Sequence, residues 1–285
     1  KIVEELEELS KYVNWLKEVL SDERKIYGII KEELTQIREK FNSPRLTKLA
    51  GSSEEIEDED LIAREDMVVM MTDTGYIKRI PLDQYRLQKR GGKGLKGIET
   101  REEDFVTTIF VADTLTTLMV FTDTGKLYWV KVHRLPLGSR TSKGKAIANV
   151  INLNGKEKVQ AILPVHAFEE TKFVVMLTEK GIIKKTSLDA FSNPRPSGII
   201  ALTTDLDDRM ISAKISNGQC DLFIATKDGM SIRFDEGDVR EMGRSARGVK
   251  GITLGKDDIV IGMEIIEKGS KSTILMVTEN GYGKR

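Results

Sequence analysis

Apolar and polar positions repeat along residues 67–285 with a period of about fifty residues. Each of five segments holds a short apolar run, a threonine, a polar pair and a glycine, followed by an alternating run: MVVMMTDTGYIKRI (67–80), TLMVFTDTGKLYWV (117–130), FVVMLTEKGIIKKT (173–186), DLFIATKDGMSIRF (221–234) and TILMVTENGYGKR (273–285). The intervals are 50, 56, 48 and 52 residues between the glycines Gly75, Gly125, Gly181, Gly229 and Gly281. A polar pair and a glycine between two strand-like runs predict a tight β-hairpin, because glycine supplies the positive φ that the turn requires.

Each period contains two further strand signals. One follows a glycine-rich loop (LKGIET, AIANVI, GIIALT, VKGITL), and the other follows a polar stretch (FVTTIFVA, VQAILPV, MISAKI, IVIGMEII). Four strands per period are the unit of a propeller blade, in which neighbouring repeats share small cores. The pattern therefore predicts a mainly β fold, a propeller-like disc of four-stranded blades. A long β-solenoid is the alternative, and a fifty-residue period favours it less.

The first forty residues show a helical pattern instead. Apolar residues recur every three or four positions at Ile2, Leu6, Leu9, Val13, Leu16 and Leu20, and again at Ile26, Ile30, Leu34, Ile37 and Phe41. Ser21 or Asp22 is suited to cap the second helix, and Asn42-Ser43-Pro44 ends it. Two such helices joined by a short turn indicate either an ordinary packed hairpin or part of a coiled coil. We expect a helical coiled-coil segment over 1–46, an acidic linker over 47–60 and the β domain over 61–285, whose fifth repeat is incomplete. Because the first residue is Lys1 and not methionine, we expect a fragment of a longer protein.

Charge is distributed unevenly along the chain. Residues 1–66 hold 11 basic and 18 acidic side chains, and the other 219 residues hold 34 and 27, so a net charge of −7 precedes one of +7. A basic β domain favours an anionic partner, nucleic acid first. The single cysteine, Cys220, excludes a disulfide framework, and no apolar run approaches the ~18 residues of a membrane span. We expect a cytoplasmic protein that does not enter a membrane.

Basic residues are concentrated in the glycine-rich loops that follow the hairpins. The loops are Gln88-Lys89-Arg90-Gly91-Gly92-Lys93-Gly94, Gly138-Ser139-Arg140-Thr141-Ser142-Lys143-Gly144, Asn193-Pro194-Arg195-Pro196-Ser197-Gly198 and Gly243-Arg244-Ser245-Ala246-Arg247-Gly248. Equivalent loops of a disc lie at equivalent radii on one side, so their Lys and Arg side chains would follow a curved path that suits a bent polyanion. Glycines there would let the backbone approach phosphate oxygens. This pattern predicts sequence-tolerant DNA binding with a bending component.

Other motifs give weaker hypotheses. Residues 92–97 fit G-x-G-x-x-G, but the context is strand to strand and no helix follows. His133 and His166 have no neighbouring ligands at metal-binding spacing, so we interpret each as a loop residue with an ordinary hydrogen bond. The repeated acids Asp73, Asp123 and Glu179 indicate turn chemistry. No catalytic residue, metal site or cofactor site is predicted in this chain.

Residues 88–94, QKRGGKG, match all seven positions of the GyrA box, Q-(R/K)-R-G-G-(R/K)-G. Together with the repeated T-D-x-G hairpins and the heptad-rich segment EELTQIREKFNSPRLT, they make the chain resemble the C-terminal domain of bacterial DNA gyrase A over nearly its whole length. The resemblance implies a six-bladed β-pinwheel that wraps double-stranded DNA around its basic edge in a positive sense. Gln88, Lys89, Arg90, Gly91, Gly92, Lys93 and Gly94 would then act with Arg140, Lys143, Arg195, Arg244 and Arg247 in DNA binding.

The resemblance also implies partners. The wrap would feed a DNA segment to an ATP-driven strand-passing core, with ATP and Mg²⁺ in gyrase B and that core. Gyrase A would dimerise through an N-terminal core that includes the DNA-cleaving tyrosine, and residues 1–41 would end its coiled-coil arm. None of the six tyrosines here stands in the context of that tyrosine. Two alternatives stay open: a topoisomerase IV-type domain that bends DNA without strong wrapping, and a propeller-like scaffold for a protein partner.

Overall fold

The computed structural model describes residues 1–43, 58–85, 104–155 and 157–285. The chain divides into two compact units, residues 1–55 and 56–285. The first unit contains two helices, α1 (Ile2–Ser21) and α2 (Glu23–Phe41), which contact each other. Asp22 separates them, and its carboxylate accepts a hydrogen bond of 2.9 Å from the backbone N–H of Arg24, as an N-cap does. Neither helix is long and apolar enough to cross a membrane, judged over the ranges the structure describes.

The second unit consists of short antiparallel strands. In chain order they are β1 (Asp66–Thr72), β2 (Tyr76–Pro81), β3 (Val106–Asp113), β4 (Thr117–Thr122), β5 (Lys126–Lys131), β6 (Lys145–Ala146), β7 (Val159–Val165), β8 (Phe173–Thr178), β9 (Ile182–Ser187), β10 (Ile199–Ile200), β11 (Met210–Ser216), β12 (Cys220–Thr226), β13 (Ser231–Asp235), β14 (Val249–Lys250), β15 (Val260–Glu267), β16 (Met276–Val277) and β17 (Gly283–Lys284). All five predicted hairpins are present. The predicted mainly β fold of propeller-like blades, preceded by helices, is confirmed.

In each complete blade, the fourth strand belongs to the following repeat of the sequence. The first three sheets have the orders β3-β1-β2-β6, β10-β5-β4-β7 and β11-β8-β9-β14. In the first sheet, for example, Tyr76 pairs with Ala146 and Ile77 with Lys145. The fourth sheet has three strands, β13-β12-β15, and the fifth repeat forms the pair β16-β17.

This exchange corrects the expectation that one period supplies all four strands of its own blade. The predicted strand AIANVI is also shorter than expected, because only Lys145 and Ala146 pair and a 3-10 turn follows over Ile147–Asn149. GIIALT and VKGITL likewise contribute two paired residues each, β10 and β14. LKGIET lies outside the described residues.

The repeated threonine completes each hairpin turn. Its Oγ1 accepts a hydrogen bond of 3.1–3.3 Å from the N–H of the residue after the glycine, at Thr72, Thr122, Thr178, Thr226 and Thr278. Its carbonyl accepts one of 2.9–3.1 Å from the glycine N–H. The five glycines have φ between +76° and +83°, which side chains with a Cβ rarely adopt. The T-x-x-G spacing therefore has a local structural cause.

A carboxylate two residues before the third strand also supports the turn. Asp104, Asp208 and Asp258 accept hydrogen bonds of 3.0–3.2 Å from the N–H of the residue before the hairpin glycine. Asp123 similarly accepts one of 3.0 Å from the N–H of Lys158, and Glu179 forms an ion pair of 2.7 Å with Arg209. These acids therefore stabilise turns and loops, as predicted for Asp123 and Glu179, whereas the carboxylate of Asp73 forms no hydrogen bond or ion pair with another described residue.

The apolar cores lie between neighbouring blades. Leu118 and Val120 of β4 pack toward the first blade, and Met119 and Phe121 of the same strand pack toward the third. Both faces of such a strand are buried, which explains the uninterrupted apolar runs in the sequence. The third strands meet one another, since β7 contacts β11 and β11 contacts β15. The short fourth strands therefore lie at the opposite, outer edge of each sheet.

Candidate nucleic-acid interface

Three of the predicted basic loops lie at this outer edge. Residues 138–144, 193–198 and 243–248, here named the blade-edge loops, each precede a short strand that pairs with the blade before them. Consecutive blades thus carry their basic loops at the same place in the sheet. The GyrA box residues Gln88, Lys89, Arg90, Gly91, Gly92, Lys93 and Gly94 lie outside the described residues.

Basic residues recur at fixed distances from the hairpin glycine. Fifteen and eighteen residues after Gly125 stand Arg140 and Lys143, and the same distances after Gly229 give Arg244 and Arg247. Counted from Gly75, these distances give Arg90 and Lys93 of the box. The loop 193–198 carries Arg195 and ends at Gly198, 17 residues after Gly181, whereas the other two loops end 19 residues after their hairpin glycines.

Two of the blade-edge loops each have a buried lysine beneath them. The Lys78 ammonium on β2 donates hydrogen bonds to the carbonyls of Ser139 (3.1 Å), Arg140 (2.8 Å) and Ser142 (2.7 Å). Lys184 on β9 donates to the carbonyl of Ala201 (2.7 Å) and to that of Arg244. Both lysines are fully buried. Each therefore links the second strand of one blade to the basic loop of the next.

Tyr128 takes this position in the second blade. It stands three residues after its hairpin glycine, as Lys78 and Lys184 do, and it is buried. Its hydroxyl donates a hydrogen bond of 3.0 Å to the carboxylate of Glu157, and its ring lies under Gly198. The loop 193–198 therefore packs on an aromatic ring instead of binding an ammonium.

The last glycine of each blade-edge loop contacts the neighbouring hairpin. Gly144, Gly198 and Gly248 have φ of +79°, +71° and +100°. A Cβ on Gly144 would lie 2.4 Å from the carbonyl oxygen of Ile77, and one on Gly248 would lie 2.7 Å from that of Ile183. At these three positions the close approach expected toward phosphate is instead an approach to the preceding blade.

The residue after this lysine or tyrosine also donates a side-chain hydrogen bond to the following repeat in each of the first three blades. Four residues after the hairpin glycine stand Arg79, Trp129 and Lys185. Arg79 Nε donates to the carbonyl of Leu135 (2.9 Å), Trp129 Nε1 to that of Phe191 (3.1 Å) and Lys185 Nζ to that of Glu236 (3.0 Å). The buried Lys78, Lys184 and Lys185 and the half-buried Arg79 thus join neighbouring blades.

The five predicted contact residues in the blade-edge loops differ in exposure to solvent and in ion pairing. Arg195 is exposed, and Arg140, Lys143 and Arg244 are half-buried. The Nε of Arg140 is buried and has no hydrogen-bond partner among the described residues. Arg247 is exposed but forms an ion pair with Asp205, so part of its charge is already neutralised.

Arg134 was not anticipated from the sequence, yet it lies beside Arg195. Both line one cleft of about 320 Å³ whose walls include Trp129, Asn152 and Pro194. Both side chains are exposed, and neither forms an ion pair or a hydrogen bond with another described residue. Two unpaired guanidinium groups at one cleft suit an anion such as a backbone phosphate.

Burial shifts the pKa of the groups beneath the loops. Burial and, to a smaller degree, the charge of Arg244 lower the pKa of Lys184 to about 8. Burial also lowers the pKa of Lys78. Burial raises the pKa of Tyr85, although the nearby charge of Arg140 acts in the opposite direction.

Neither histidine belongs to a cluster of metal-ligating side chains. His133 Nδ1 lies 3.3 Å from the carbonyl of Thr114, and His166 Nδ1 lies 3.2 Å from the hydroxyl of Thr116. Over the described ranges, no three His, Cys, Asp or Glu side chains gather as metal ligands would. Cys220 is a buried free thiol, and burial raises its pKa.

Comparison with solved structures identifies the same fold. A crystal structure of the C-terminal domain of DNA topoisomerase IV superposes with a TM-score of 0.64 at 28% identity, covering 78% of this chain and 68% of that one. A structure of the DNA gyrase A C-terminal domain superposes with a TM-score of 0.63 at 27% identity, covering 77% and 70%. The E. coli ParC C-terminal domain, at 13% identity and a TM-score of 0.55, shares the fold.

Sequence comparison identifies the family. DNA gyrase A of Campylobacter jejuni is 39% identical over 322 residues, covering 100% of this chain and 37% of the relative. That of Clostridium acetobutylicum is 44% identical over 251 residues, covering 88% and 30%. The chain thus spans about a third of the length of these relatives. The model of the DNA gyrase C-terminal domain, a β-propeller, matches residues 66–113, 116–166, 172–217, 221–267 and 272–285. The matches follow the five repeats one by one, and the chain belongs to this family of DNA gyrase C-terminal domains.

Proposed function

We propose that the β unit binds double-stranded DNA along its outer edge and wraps it in a positive, chiral sense. The observation that carries this proposal is the recurrence of the blade-edge loops at the same edge of consecutive blades, each tied to the blade before it. Basic side chains held at the same edge of consecutive blades favour binding of a duplex that curves along that edge. Such contacts neutralise phosphates and carry no base recognition.

The blade-edge loops and the GyrA box would form one basic track. Arg140, Lys143, Arg195, Arg244 and Arg247 supply its charges in the described loops, and Lys89, Arg90 and Lys93 supply those of the box. Arg134 joins them at the cleft that it shares with Arg195. A bent duplex costs elastic energy, and contacts on successive blades offset that cost.

In the complete protein this wrap would support ATP-dependent negative supercoiling. The proposed assembly is a gyrase in which gyrase A dimerises through a separate N-terminal core and acts with gyrase B. ATP and Mg²⁺ would bind in gyrase B and in that core, and the chain itself would hold no cofactor. The protein would act on the bacterial chromosome in the cytoplasm.

The helical unit would form the end of the coiled-coil arm of that core. This proposal rests on the apolar stripe of α1 and α2, most of whose side chains are exposed. A stripe at heptad-like spacing gains stability when it packs against other helices.

Salt-dependent DNA binding tests the proposed function. We expect the dissociation constant for a duplex of ~150 bp to rise steeply with salt, and the double variant Arg140→Ala/Arg244→Ala to reduce the slope of log K against log salt by up to about 2. Arg209→Ala is the matched control, because this exposed arginine is paired with Glu179. Weak salt dependence in the unaltered chain would contradict DNA wrapping and favour a scaffold for a protein partner.

A further inference from the structure

We propose that Lys78 and Lys184 are positioning residues for DNA binding, which orient the basic loop of the next blade by binding its backbone carbonyls. This inference rests on the proposed function, because it assigns a role to residues that do not touch DNA. Each lysine is buried in one blade, and its ammonium reaches a loop that belongs to the following repeat.

The two lysines bind the loops at corresponding points. Among the carbonyls that Lys78 binds is that of Arg140, and among those that Lys184 binds is that of Arg244. Arg140 and Arg244 both stand fifteen residues after their hairpin glycines. Each lysine therefore fixes the backbone of the arginine that occupies the same place in the basic track.

An ammonium is suited to this task. It has three N–H donors and no acceptor, so it can bind several carbonyls that converge on one point. Three carbonyls around Lys78 at 2.7–3.1 Å use that capacity and compensate for burial of the charge. An apolar residue at this position would remove the ammonium donor from the carbonyls of Arg140 and Ser142, whereas the carbonyl of Ser139 would keep the two hydrogen bonds that it accepts from Ser142.

Alternate repeats share the lysine. The position three residues after the hairpin glycine holds Lys78, Lys184 and Lys284 in the first, third and fifth repeats, and Tyr128 and Ile232 in the second and fourth. Tyr128 lies under its loop but directs its hydroxyl to Glu157. Orientation by a buried ammonium is therefore specific to particular blades.

An ordered loop binds DNA more tightly because its side chains are already placed. Immobilising a long side chain on binding costs ~0.5–1.5 kcal/mol, and a loop fixed in advance reduces that cost. Loss of the lysine should therefore weaken DNA binding even when every cation of the track is retained. This consequence separates a positioning residue from a direct contact.

The test compares Lys184→Met with two control variants in the full chain. Val174→Ala removes buried volume from β8 in the same blade and leaves the loop bonds in place, so it controls for lost stability. Tyr128→Phe removes the hydroxyl at the corresponding position of the second blade. Hydrogen–deuterium exchange at 243–248, thermal unfolding and the dissociation constant for duplex DNA are measured for each protein.

We expect Lys184→Met to accelerate exchange at 243–248 and to weaken DNA binding about tenfold at fixed salt, from the ordering cost of two side chains. Lys78→Met should do the same for 138–144. Lys184→Gln, which retains N–H donors, should give an intermediate effect and replaces Lys184→Met if that variant does not fold. Val174→Ala and Tyr128→Phe should leave both loop exchange and DNA affinity close to those of the unaltered chain.

Two results would overturn the inference. One is unchanged exchange at 243–248 in a folded Lys184→Met variant. The other is a loss of DNA affinity in Lys184→Met that is no larger than the loss in Val174→Ala, when the two variants are equally stable. If the unaltered chain fails to bind DNA, the proposed function fails on its own, and the exchange data still decide whether the lysine orders the loop.

Discussion

At the scale of single residues, cations serve two different purposes in this molecule. Lys78, Lys184 and Lys185 are buried and donate to backbone carbonyls, whereas Arg134 and Arg195 are exposed and unpaired among the described residues. The excess of basic over acidic residues in the β unit therefore overstates the charge that is available to a polyanion.

Arginines of the track should differ in their contribution to DNA binding. We expect Arg134→Ala and Arg195→Ala each to reduce the slope of log K against log salt by about 0.9. Each variant would remove one phosphate contact, made by a guanidinium group that has no ion-pair partner among the described residues. Arg247→Ala should change the slope less, since Asp205 already neutralises part of its charge. Fluorescence anisotropy with a labelled duplex measures these slopes. Equal effects for all three variants would contradict the assignment.

The buried Lys184 should make stability depend on pH. Its pKa is about 8 in the folded protein against its usual 10.5, so between these values the unfolded chain binds a proton that the folded chain does not. Through that window this lysine makes the free energy of unfolding rise with pH. Urea unfolding at several pH values should show this rise in the unaltered chain relative to Lys184→Met. A difference that stays constant from pH 7.5 to 10.5 would contradict it.

At the scale of elements, the hairpins were predictable and the strand exchange was not. Thr72 and Gly75 carry a local signal, because a hydroxyl acceptor and a positive φ are needed within four residues. Only two residues of the exchanged strand β6 pair with β2, and they stand 68 and 70 positions after their partners in the sequence. A pairing so short and so distant produces no periodic pattern.

The position of the predicted contact residues followed from the sequence to the same extent, while their contacts with DNA stay a prediction. The repeated basic loops contain Arg140, Lys143, Arg195, Arg244 and Arg247, and the structure describes all five at the outer edge of the blades. Buried charge contradicts the pattern of apolar interiors, so nothing in the alternating runs of β2 and β9 distinguishes Lys78 and Lys184 from solvent-facing strand residues. Their shared distance from the hairpin glycine was the one signal that could have identified them.

The exchange of strands requires glycine at the end of each blade-edge loop. We expect Gly248→Ala to lower the free energy of unfolding by about 1–3 kcal/mol, because its φ is +100° and a Cβ would contact the carbonyl of Ile183 at 2.7 Å. Gly243→Ala, in the same loop, meets open space and should change stability by less than about 1 kcal/mol. Urea unfolding measures both. Equal losses for the two variants would contradict the role of this close approach.

At the scale of the whole β unit, the cores between blades and the exchanged strands make each blade depend on its neighbours. The third strands β7, β11 and β15 meet on one side, and the basic loops lie at the opposite edge. Basic side chains at the same edge of consecutive, rigidly packed blades should impose one direction of curvature on a bound duplex. A chiral wrap is therefore the property that follows from the arrangement, beyond simple attraction of a polyanion.

Ligation of nicked circular plasmid with the chain bound tests this property most directly. We predict that the linking number of the closed product shifts in the positive direction with increasing protein, and that Lys89→Ala/Arg90→Ala/Lys93→Ala abolishes the shift while the protein remains folded. Binding without any change of linking number would instead indicate a domain that bends DNA without wrapping it. A negative shift, or a folded triple variant that wraps as the unaltered chain does, would contradict the account.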